Sequence, residues 1–283
     1  MWWASTTSRS GRLTEEQAEP ARCRRAALSS GVGTSLPAVE GEGLRRSVAE
    51  FVGAFALIFV GAGSIMTGGG DLLGVAVAHG LILAIMVTAL GHISGGHFNP
   101  AVTLGFLITR RIRPLLGACY WVAQFSGAVA AALLLKWIYP DNVTDAAKLG
   151  APVLNDQISA SGGFVLEAIL TFFLVWVVFA TAADPRGAFT AIAGFAIGLT
   201  IAADILIGGP LTGAAMNPGR ALGPMLVQNQ WADGWIWFLG PFLGGALAAL
   251  SYEMLYLTPV LRPRPPGTPD AGVDEPRIRD STR

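Results

Sequence analysis

Two asparagine–proline pairs are the residues whose types and spacing could act on a passing molecule. They stand 118 positions apart and begin two short apolar stretches: Asn99-Pro100-Ala101 and Asn217-Pro218-Gly219. Asparagine is a preferred helix N-cap and proline a preferred first helical residue, so each pair predicts the start of a helix. The asparagine side chains also carry amide N–H donors.

Isolated ionisable residues inside apolar runs form a second group of candidates. Glu50 and Glu167 are each the lone glutamate of such a run, His79 stands in another, and Arg220 follows Asn217 by three residues. An arginine there repels cations and offers fixed N–H donors. The chain has no nucleophile beside a base and no cluster of metal-ligand types, so we predict no catalytic residue, no metal and no cofactor.

The elements that position these residues are long apolar runs. Each of six runs approaches the roughly 20 residues that a helix needs to cross a bilayer. They lie at about 48–67, 72–91, 114–138, 162–183, 187–207 and 235–257, and two shorter stretches lie at 98–109 and 216–228. We therefore predict an all-α membrane protein with six transmembrane helices and two re-entrant half-helices.

Composition agrees with a lipid environment. The chain is 52% hydrophobic and only 13% charged, whereas soluble domains carry roughly 25% charged residues. Its formal net charge is zero, so charge predicts no nucleic-acid partner. The two cysteines cannot build a disulfide framework.

The polar ends and the loops give the organisation and the orientation. We predict a disordered cytoplasmic tail over 1–45, a channel domain over 46–257 and a second cytoplasmic tail over 258–283. Arginines concentrate in the loops on one side, which by the positive-inside rule makes both termini cytoplasmic. The Ala-, Gly- and Arg-rich tails favour a bacterial cell membrane, while an intracellular membrane stays open.

The chain also repeats itself. The shift that superposes the asparagines carries Gly80, Gly95, Gly105 and Gly127 onto Gly198, Gly213, Gly223 and Gly245. The repeats cover 46–140 and 160–257. Because each holds three spans, the second enters the membrane from the opposite side, as in the inverted repeats of transport proteins. Two half-helix N-termini, each about +0.5 charge, would then face one another at mid-membrane and oppose cations.

The segments from His92 to Thr103 and from Gly213 to Arg220 resemble the paired signatures of the aquaporin (major intrinsic protein) family. The resemblance implies six tilted helices, one pore per subunit, a homotetramer in the lipid bilayer, and buried Glu50 and Glu167 that hold backbone amides. It also implies a selectivity filter, which falls on His79, Ile205, Ala214 and Arg220. Gly219 replaces the family's usual alanine, and we expect a slightly looser middle of the pore.

This filter is similar to that of plant vacuolar aquaporins. We therefore expect a passive channel for water that excludes protons and ions. The alternative is a facilitator for small neutral solutes such as urea, ammonia, hydrogen peroxide or glycerol, and a structural membrane protein that conducts little is a third reading. Ala221 after Arg220 favours the water branch over the glycerol branch. Asp204, beside Ile205, should reach an outer vestibule or pair with a loop donor.

Overall fold

The computed structural model describes residues 36–67, 71–186 and 192–258, with side chains from residue 41. Within these ranges the regular structure is entirely helical, and six helices are long and apolar enough to cross a membrane. The spanning helices are α1 (Leu36–Thr67), α2 (Leu72–Ser94), α4 (Pro114–Ile138), α6 (Ala160–Val178), α7 (Ala193–Thr212) and α9 (Ile236–Tyr252).

Three shorter helices and three irregular turns complete the described chain. The short helices are α3 (Pro100–Ile108), α5 (Asp141–Ala146) and α8 (Pro218–Val227). A 3-10 turn covers Lys148–Gly150, and α6 and α9 continue as π-helical turns over Phe179–Ala183 and Glu253–Leu257. The prediction of six spans with two short helices, α3 and α8, is confirmed.

The boundaries at the two tails differ from the sequence expectation in one place. Helix α1 begins at Leu36, so residues 36–45 of the expected N-terminal tail are helical. Residues 1–35 of that tail and all but Thr258 of the expected C-terminal tail lie outside the described residues.

Each half-helix packs on the last span of the other repeat. Helix α3 lies against α9, and α8 lies against α4. The equivalent glycines Gly105 and Gly223 make this possible. A Cβ atom on Gly105 would lie 3.0 Å from the Ala249 side chain, and one on Gly223 would lie 2.5 Å from the Ala128 carbonyl oxygen. Because each half-helix packs on the other repeat, the two repeats form one bundle. Small residues allow this close helix packing.

Helices α2 and α7, which carry the predicted filter residues His79 and Ile205, also cross closely. A Cβ on Gly80 would lie 2.6 Å from the carbonyl oxygen of Gly198, and one on Gly198 would overlap the carbonyl of Gly80. The two backbones therefore meet where the repeat shift pairs these glycines. Small residues permit this approach in lipid, where helix association depends on packing.

A polar cluster ties the ends of α6 and α9 together. The Asp184 carboxylate accepts hydrogen bonds from the Arg186 side chain (2.6 Å to Nη2) and from the Tyr252 hydroxyl (3.1 Å). Arg186 also donates to the carbonyl of Tyr256. The hydrogen bonds from Arg186 hold the pKa of Asp184 below its usual range. The cluster fixes the two π-helical turns side by side.

Candidate functional site

The two asparagines cap their half-helices with their side-chain oxygens. Oδ1 of Asn99 accepts from the backbone N–H of Ala101 at 2.8 Å. Oδ1 of Asn217 accepts from two backbone N–H groups, those of Gly219 (2.9 Å) and Arg220 (3.2 Å). Both asparagines have extended backbone, as an N-cap residue should. The predicted helix starts are therefore where the Asn-Pro pairs place them.

The asparagine nitrogens join the two motifs. Nδ2 of Asn99 donates to the carbonyl of Met216 at 2.9 Å, and Nδ2 of Asn217 donates to the carbonyl of Phe98 at 3.0 Å. An amide nitrogen carries two hydrogens, so each asparagine keeps one N–H for another partner. The half-helices thus meet end to end with two remaining donors at their junction.

Two buried carboxylates hold the loops that precede the half-helices. Glu50 accepts from the backbone N–H groups of His97 (3.0 Å) and Phe98 (2.6 Å). Glu167 accepts from those of Ala215 (2.9 Å) and Met216 (2.8 Å). Both glutamates are fully buried. A buried carboxylate is tolerated when its oxygens are hydrogen-bonded, and here they fix four amides that no helix satisfies.

A narrow cavity runs past the asparagines. The lining residues of α2 and α7 recur every four residues, which places them on one face of each helix. They are His79, Leu83 and Val87 on α2, and Ile197, Ile201 and Ile205 on α7. Asn99 and Asn217 also line the cavity, while the prolines and the third motif residues Ala101 and Gly219 do not appear among its lining.

The four predicted filter residues lie together on this cavity. His79, Ile205, Ala214 and Arg220 all line it, and each is at most 5% exposed. Arg220 is held from one side by a hydrogen bond from Nη1 to the carbonyl of Gly150 at 2.9 Å. The remaining guanidinium N–H groups stay available, because arginine has five donors.

The ring of His79 is oriented by its own helix. Nδ1 lies 2.8 Å from the carbonyl oxygen of Val75. Since a carbonyl only accepts, Nδ1 carries the proton and Nε2 of the neutral ring is an acceptor. Nε2 has no hydrogen-bond partner among the described residues. Gly61 leaves room for the ring, because a Cβ atom there would overlap it. The unpaired Nε2 of His79 is therefore buried against Gly61, on the same cavity as Arg220.

Gly219 does not line the cavity, as a looser middle of the pore would require. A Cβ atom at this position would lie 3.2 Å from Oδ1 of Asn217 and 3.5 Å from Cδ of Pro100. The missing methyl group thus faces the junction between the half-helices. The expected looser middle of the pore does not follow, since residue 219 points at a neighbouring motif.

Sequence reasoning missed the residue that holds Arg220. Lys148, Leu149 and Gly150 have positive φ angles of 48°, 52° and 73°, and Leu149 is fully buried. A Cβ on Gly150 would lie 2.8 Å from the side chain of Ala62. Only glycine takes this conformation at low cost. A glycine in a loop of a glycine-rich chain gave no sequence signal of this role.

A polar network beside the first motif was also missed. Gln124 donates through Nε2 to Glu50 (2.8 Å) and to Oγ1 of Thr103 (2.9 Å). Nδ1 of His97 lies 3.1 Å from the same Thr103 oxygen. A polar residue inside an apolar helix is the signal that could have found Gln124.

Asp204 is expected either to reach an outer vestibule or to pair with a loop donor, and its contacts test only the second alternative. It is 6% exposed, and its Oδ2 has no hydrogen-bond partner among the described residues. The expected bond to a loop donor is therefore absent from this part of the chain. The carboxyl does not line the cavity either, although Ile205 beside it does.

Known proteins resemble this chain over most of its length. It is 43% identical to "Probable aquaporin TIP3-2" of Arabidopsis thaliana, over 82% of this chain and 91% of that protein. It is 41% identical to "Aquaporin TIP4-4" of Zea mays, over 84% and 92% of the two chains. These relatives are plant proteins, so they give no support to the expected bacterial cell membrane.

A solved structure and a family model agree with these relatives. The aquaglyceroporin of Plasmodium falciparum matches with a TM-score of 0.68 and 23% identity, over 77% of this chain and 98% of that chain. This likeness shows the shared fold. The model described as "Major intrinsic protein" matches residues 38–252. The chain is therefore an integral membrane protein with six spans and belongs to the major intrinsic protein family.

Proposed function

We propose that the protein is a passive membrane channel for water. The observation that carries this proposal is the junction of the two half-helices, where Asn99 and Asn217 each keep one N–H after binding the opposite motif. A water molecule offers lone pairs to both donors in turn. The rest of the lining at this depth is apolar, with Leu83 on one side and Ile201 on the other. Water is oriented there without being held.

The same junction opposes ions and protons. Two helix N-termini, each about +0.5 elementary charge, point at it from opposite directions. A cation loses its hydration there and meets positive potential. Both asparagine N–H groups donate, so a water between them is an acceptor toward each, which interrupts a chain of hydrogen bonds along the cavity.

We assign the filter role to the residues around Arg220. Arg220 supplies fixed N–H donors and a positive charge, and the ring of His79 fills the space beside Gly61. Ile205 and Ala214 form the apolar remainder. The hydrogen bond from Arg220 to the carbonyl of Gly150 supports this role, since it turns one side of the guanidinium toward the loop. A passing molecule is thus recognised by polar groups on part of its surface only.

A second candidate function is facilitation of small neutral solutes. The apolar character of Ile205 and Ala214 favours it, because a wall without polar groups does not discriminate by hydrogen-bond geometry. Urea, ammonia, hydrogen peroxide and glycerol are the solutes to compare with water. No enzymatic activity is part of this proposal.

We also propose that the channel assembles as a homotetramer, with both termini on the cytoplasmic side. The exposed apolar side chains on the outside of the bundle support a lipid- and subunit-facing surface; they include Leu81, Leu133, Phe173 and Leu247. The plant relatives favour an intracellular membrane over the bacterial one.

Stopped-flow light scattering of proteoliposomes tests the proposal. An impermeant osmolyte should shrink them much faster than empty liposomes. Ile201→Trp, which fills the cavity, should abolish the difference. Leu199→Trp is the matched control, because Leu199 lies on the same helix and is 54% exposed. Water flow at the level of empty liposomes, from protein that elutes as a single folded species, would contradict the channel. Urea flow comparable to water flow would favour the second candidate.

A further inference from the structure

The segment between the two repeats provides the hydrogen-bond partner of Arg220. This segment covers 141–159 and contains α5 and the 3-10 turn that ends at Gly150. The carbonyl of Gly150 accepts a hydrogen bond from Nη1 of Arg220 at 2.9 Å. Because this carbonyl fixes one side of the guanidinium, the contacts that position the turn also position Arg220.

The backbone of the turn is unfavourable unless other contacts hold it. Lys148 and Leu149 have φ angles of 48° and 52°, in the left-handed region that is unfavourable for residues other than glycine. Conformations of this kind persist where the surrounding structure fixes them. Leu149 is fully buried, which fixes its side chain. A second set of contacts lies just before the turn.

Asp145, five residues before Gly150, binds side chains from both repeats. Its Oδ1 accepts hydrogen bonds from Nζ of Lys136 at 3.2 Å and from Nε2 of Gln228 at 2.7 Å. Lys136 lies in the last turn of α4, and Gln228 is the C-cap residue of α8. Lys136 also donates to Oγ1 of Thr144 at 2.8 Å. We define the Asp145 clasp as Lys136, Thr144, Asp145 and Gln228.

The clasp fixes the position of the segment more than it stabilises the fold. The Asp145 side chain is 63% exposed, and Lys136 also contacts the exposed Asp141 at 3.2 Å. Ion pairs at such exposure contribute little to stability. Thr144, in contrast, is fully buried, so the hydrogen bond from Lys136 reaches into the protein and fixes α5 at the end of α4.

Helix α8 binds the same segment at both of its ends. Arg220, in its first turn, binds the carbonyl of Gly150, and Gln228, at its far end, binds Asp145. The eight residues between Arg220 and Gln228 span roughly 12 Å of helix. Residues 145–150 are therefore fixed at two points on one helix, which leaves the left-handed turn little freedom to move.

We propose that Asp145 is a positioning residue for the selectivity filter. Through the clasp it holds the turn, and through the carbonyl of Gly150 it holds the guanidinium of Arg220. A guanidinium bound to a fixed carbonyl presents its remaining N–H groups in one arrangement. When the clasp is broken, the turn moves, Arg220 loses this arrangement, and the filter discriminates less between water and larger neutral solutes. This inference rests on the proposed channel function and adds Asp145 and Gln228 to the residues that determine its specificity.

The test breaks the clasp from each side and includes a conservative variant. Asp145→Ala removes the acceptor, and Gln228→Leu removes one of its donors. Asp145→Asn keeps an Oδ1 that accepts both hydrogen bonds. The matched control is Asp156→Ala, because Asp156 is an exposed aspartate of the same segment. Water and urea permeability are measured on the same proteoliposomes, at matched protein density.

We expect Asp145→Ala to raise the ratio of urea to water permeability about three- to tenfold, as the loss of one hydrogen bond implies. Gln228→Leu should raise the ratio by a smaller factor, because Lys136 still binds Asp145. Asp145→Asn and Asp156→Ala should leave the ratio near the wild-type value. A ratio in Asp145→Ala that equals or falls below that of the wild type, with rapid water flow in both, would overturn the positioning role and leave the channel intact.

Arg220→Val tests whether Asp145 acts through Arg220. Valine is the residue at the equivalent position of the first repeat, Val102. In this background Asp145→Ala should change the ratio no further, because the residue that it positions is absent. An equal effect of Asp145→Ala in both backgrounds contradicts the inference. If Arg220→Val yields no folded protein, the comparison of Asp145→Ala with Asp145→Asn decides, and equal ratios in these two variants contradict it. Absence of water flow in the wild type would instead overturn the channel itself.

Discussion

In both repeats a buried glutamate holds the loop before the half-helix, but the two glutamates differ in the number of donors that bind them. In each repeat a buried glutamate accepts two backbone N–H groups and one hydroxyl: Ser94 donates to Glu50 at 2.7 Å, and Thr212 donates to Glu167 at 2.7 Å. Among the residues that the structure describes, only Glu50 has a fourth donor, Nε2 of Gln124. The common part is what the loop geometry requires, and the fourth donor is particular to the first repeat.

The difference extends along the sequence. The shift that matches the repeats places His97, Thr103 and Gln124 of the first repeat opposite Ala215, Ala221 and Phe242 of the second. The first repeat thus concentrates polar groups around its buried glutamate, Glu50. The second repeat has a charged residue on the cavity, Arg220, where the first has Val102. An inverted repeat fixes positions, and the residue types at those positions give the two ends of the pathway different chemistry.

Replacement of the two buried glutamates, Glu50 and Glu167, should lower stability more than any other change considered, and it tests the comparison of the repeats directly. Glu50→Leu leaves four donors without an acceptor and Glu167→Leu leaves three. At about 1–3 kcal/mol for each unsatisfied buried group, both variants should lose several kcal/mol, and Glu50→Leu more. Thermal melting in detergent, followed by size-exclusion chromatography, measures this. Glu42→Leu is the control, because the Glu42 side chain is 59% exposed. A greater loss for Glu167→Leu would contradict the role of the fourth donor.

The two asparagine caps should differ in the opposite sense. Asn217 accepts two backbone N–H groups and Asn99 accepts one. Asn217→Ala should therefore lower stability by about 1 kcal/mol more than Asn99→Ala does, as seen in the melting midpoints. Asn155→Ala serves as a control, since Asn155 caps only an exposed turn through Gln157. Equal midpoints for Asn99→Ala and Asn217→Ala would show that the second backbone bond adds nothing.

Gln124→Leu tests whether Glu50 holds the loop of the first repeat without the hydrogen bond from Gln124. The variant loses the two donations from Nε2, but it also removes Oε1, which is buried and has no partner among the described residues. These effects oppose one another, so the net loss should be about 1 kcal/mol or less. The second repeat already manages with Phe242 at this place. A loss as large as that of Glu50→Leu would show that Gln124 is part of the anchor itself.

The sequence predicted those parts of the site that follow from local rules or from the family resemblance. The Asn-Pro pairs predict the helix starts because capping is local. The equivalent glycines Gly80 and Gly198 lie where the backbones of α2 and α7 meet. The membrane spans follow from run length alone.

Other parts of the site depend on contacts between distant segments. The hydrogen bond from Arg220 to Gly150 joins residues 70 positions apart, and those from Asn99 and Asn217 cross between the repeats. No local pattern specifies them. Asp204 is the converse case. Its position beside Ile205 suggested a bond to a loop donor, and the described chain provides no such donor.

The third motif position is the smallest difference between the repeats, with Ala101 in the first and Gly219 in the second. Gly219→Ala should raise stability by at most about 1 kcal/mol, because alanine is favoured inside a helix. The 3.2 Å approach to Oδ1 of Asn217 offsets part of this gain. Water permeability should not change, since the new methyl group would contact Pro100 rather than a permeating molecule. A clear fall in water flow, measured against Leu199→Ala on the lipid-facing side of α7, would mean that residue 219 limits the cavity and that the two motifs differ in function as well as in sequence.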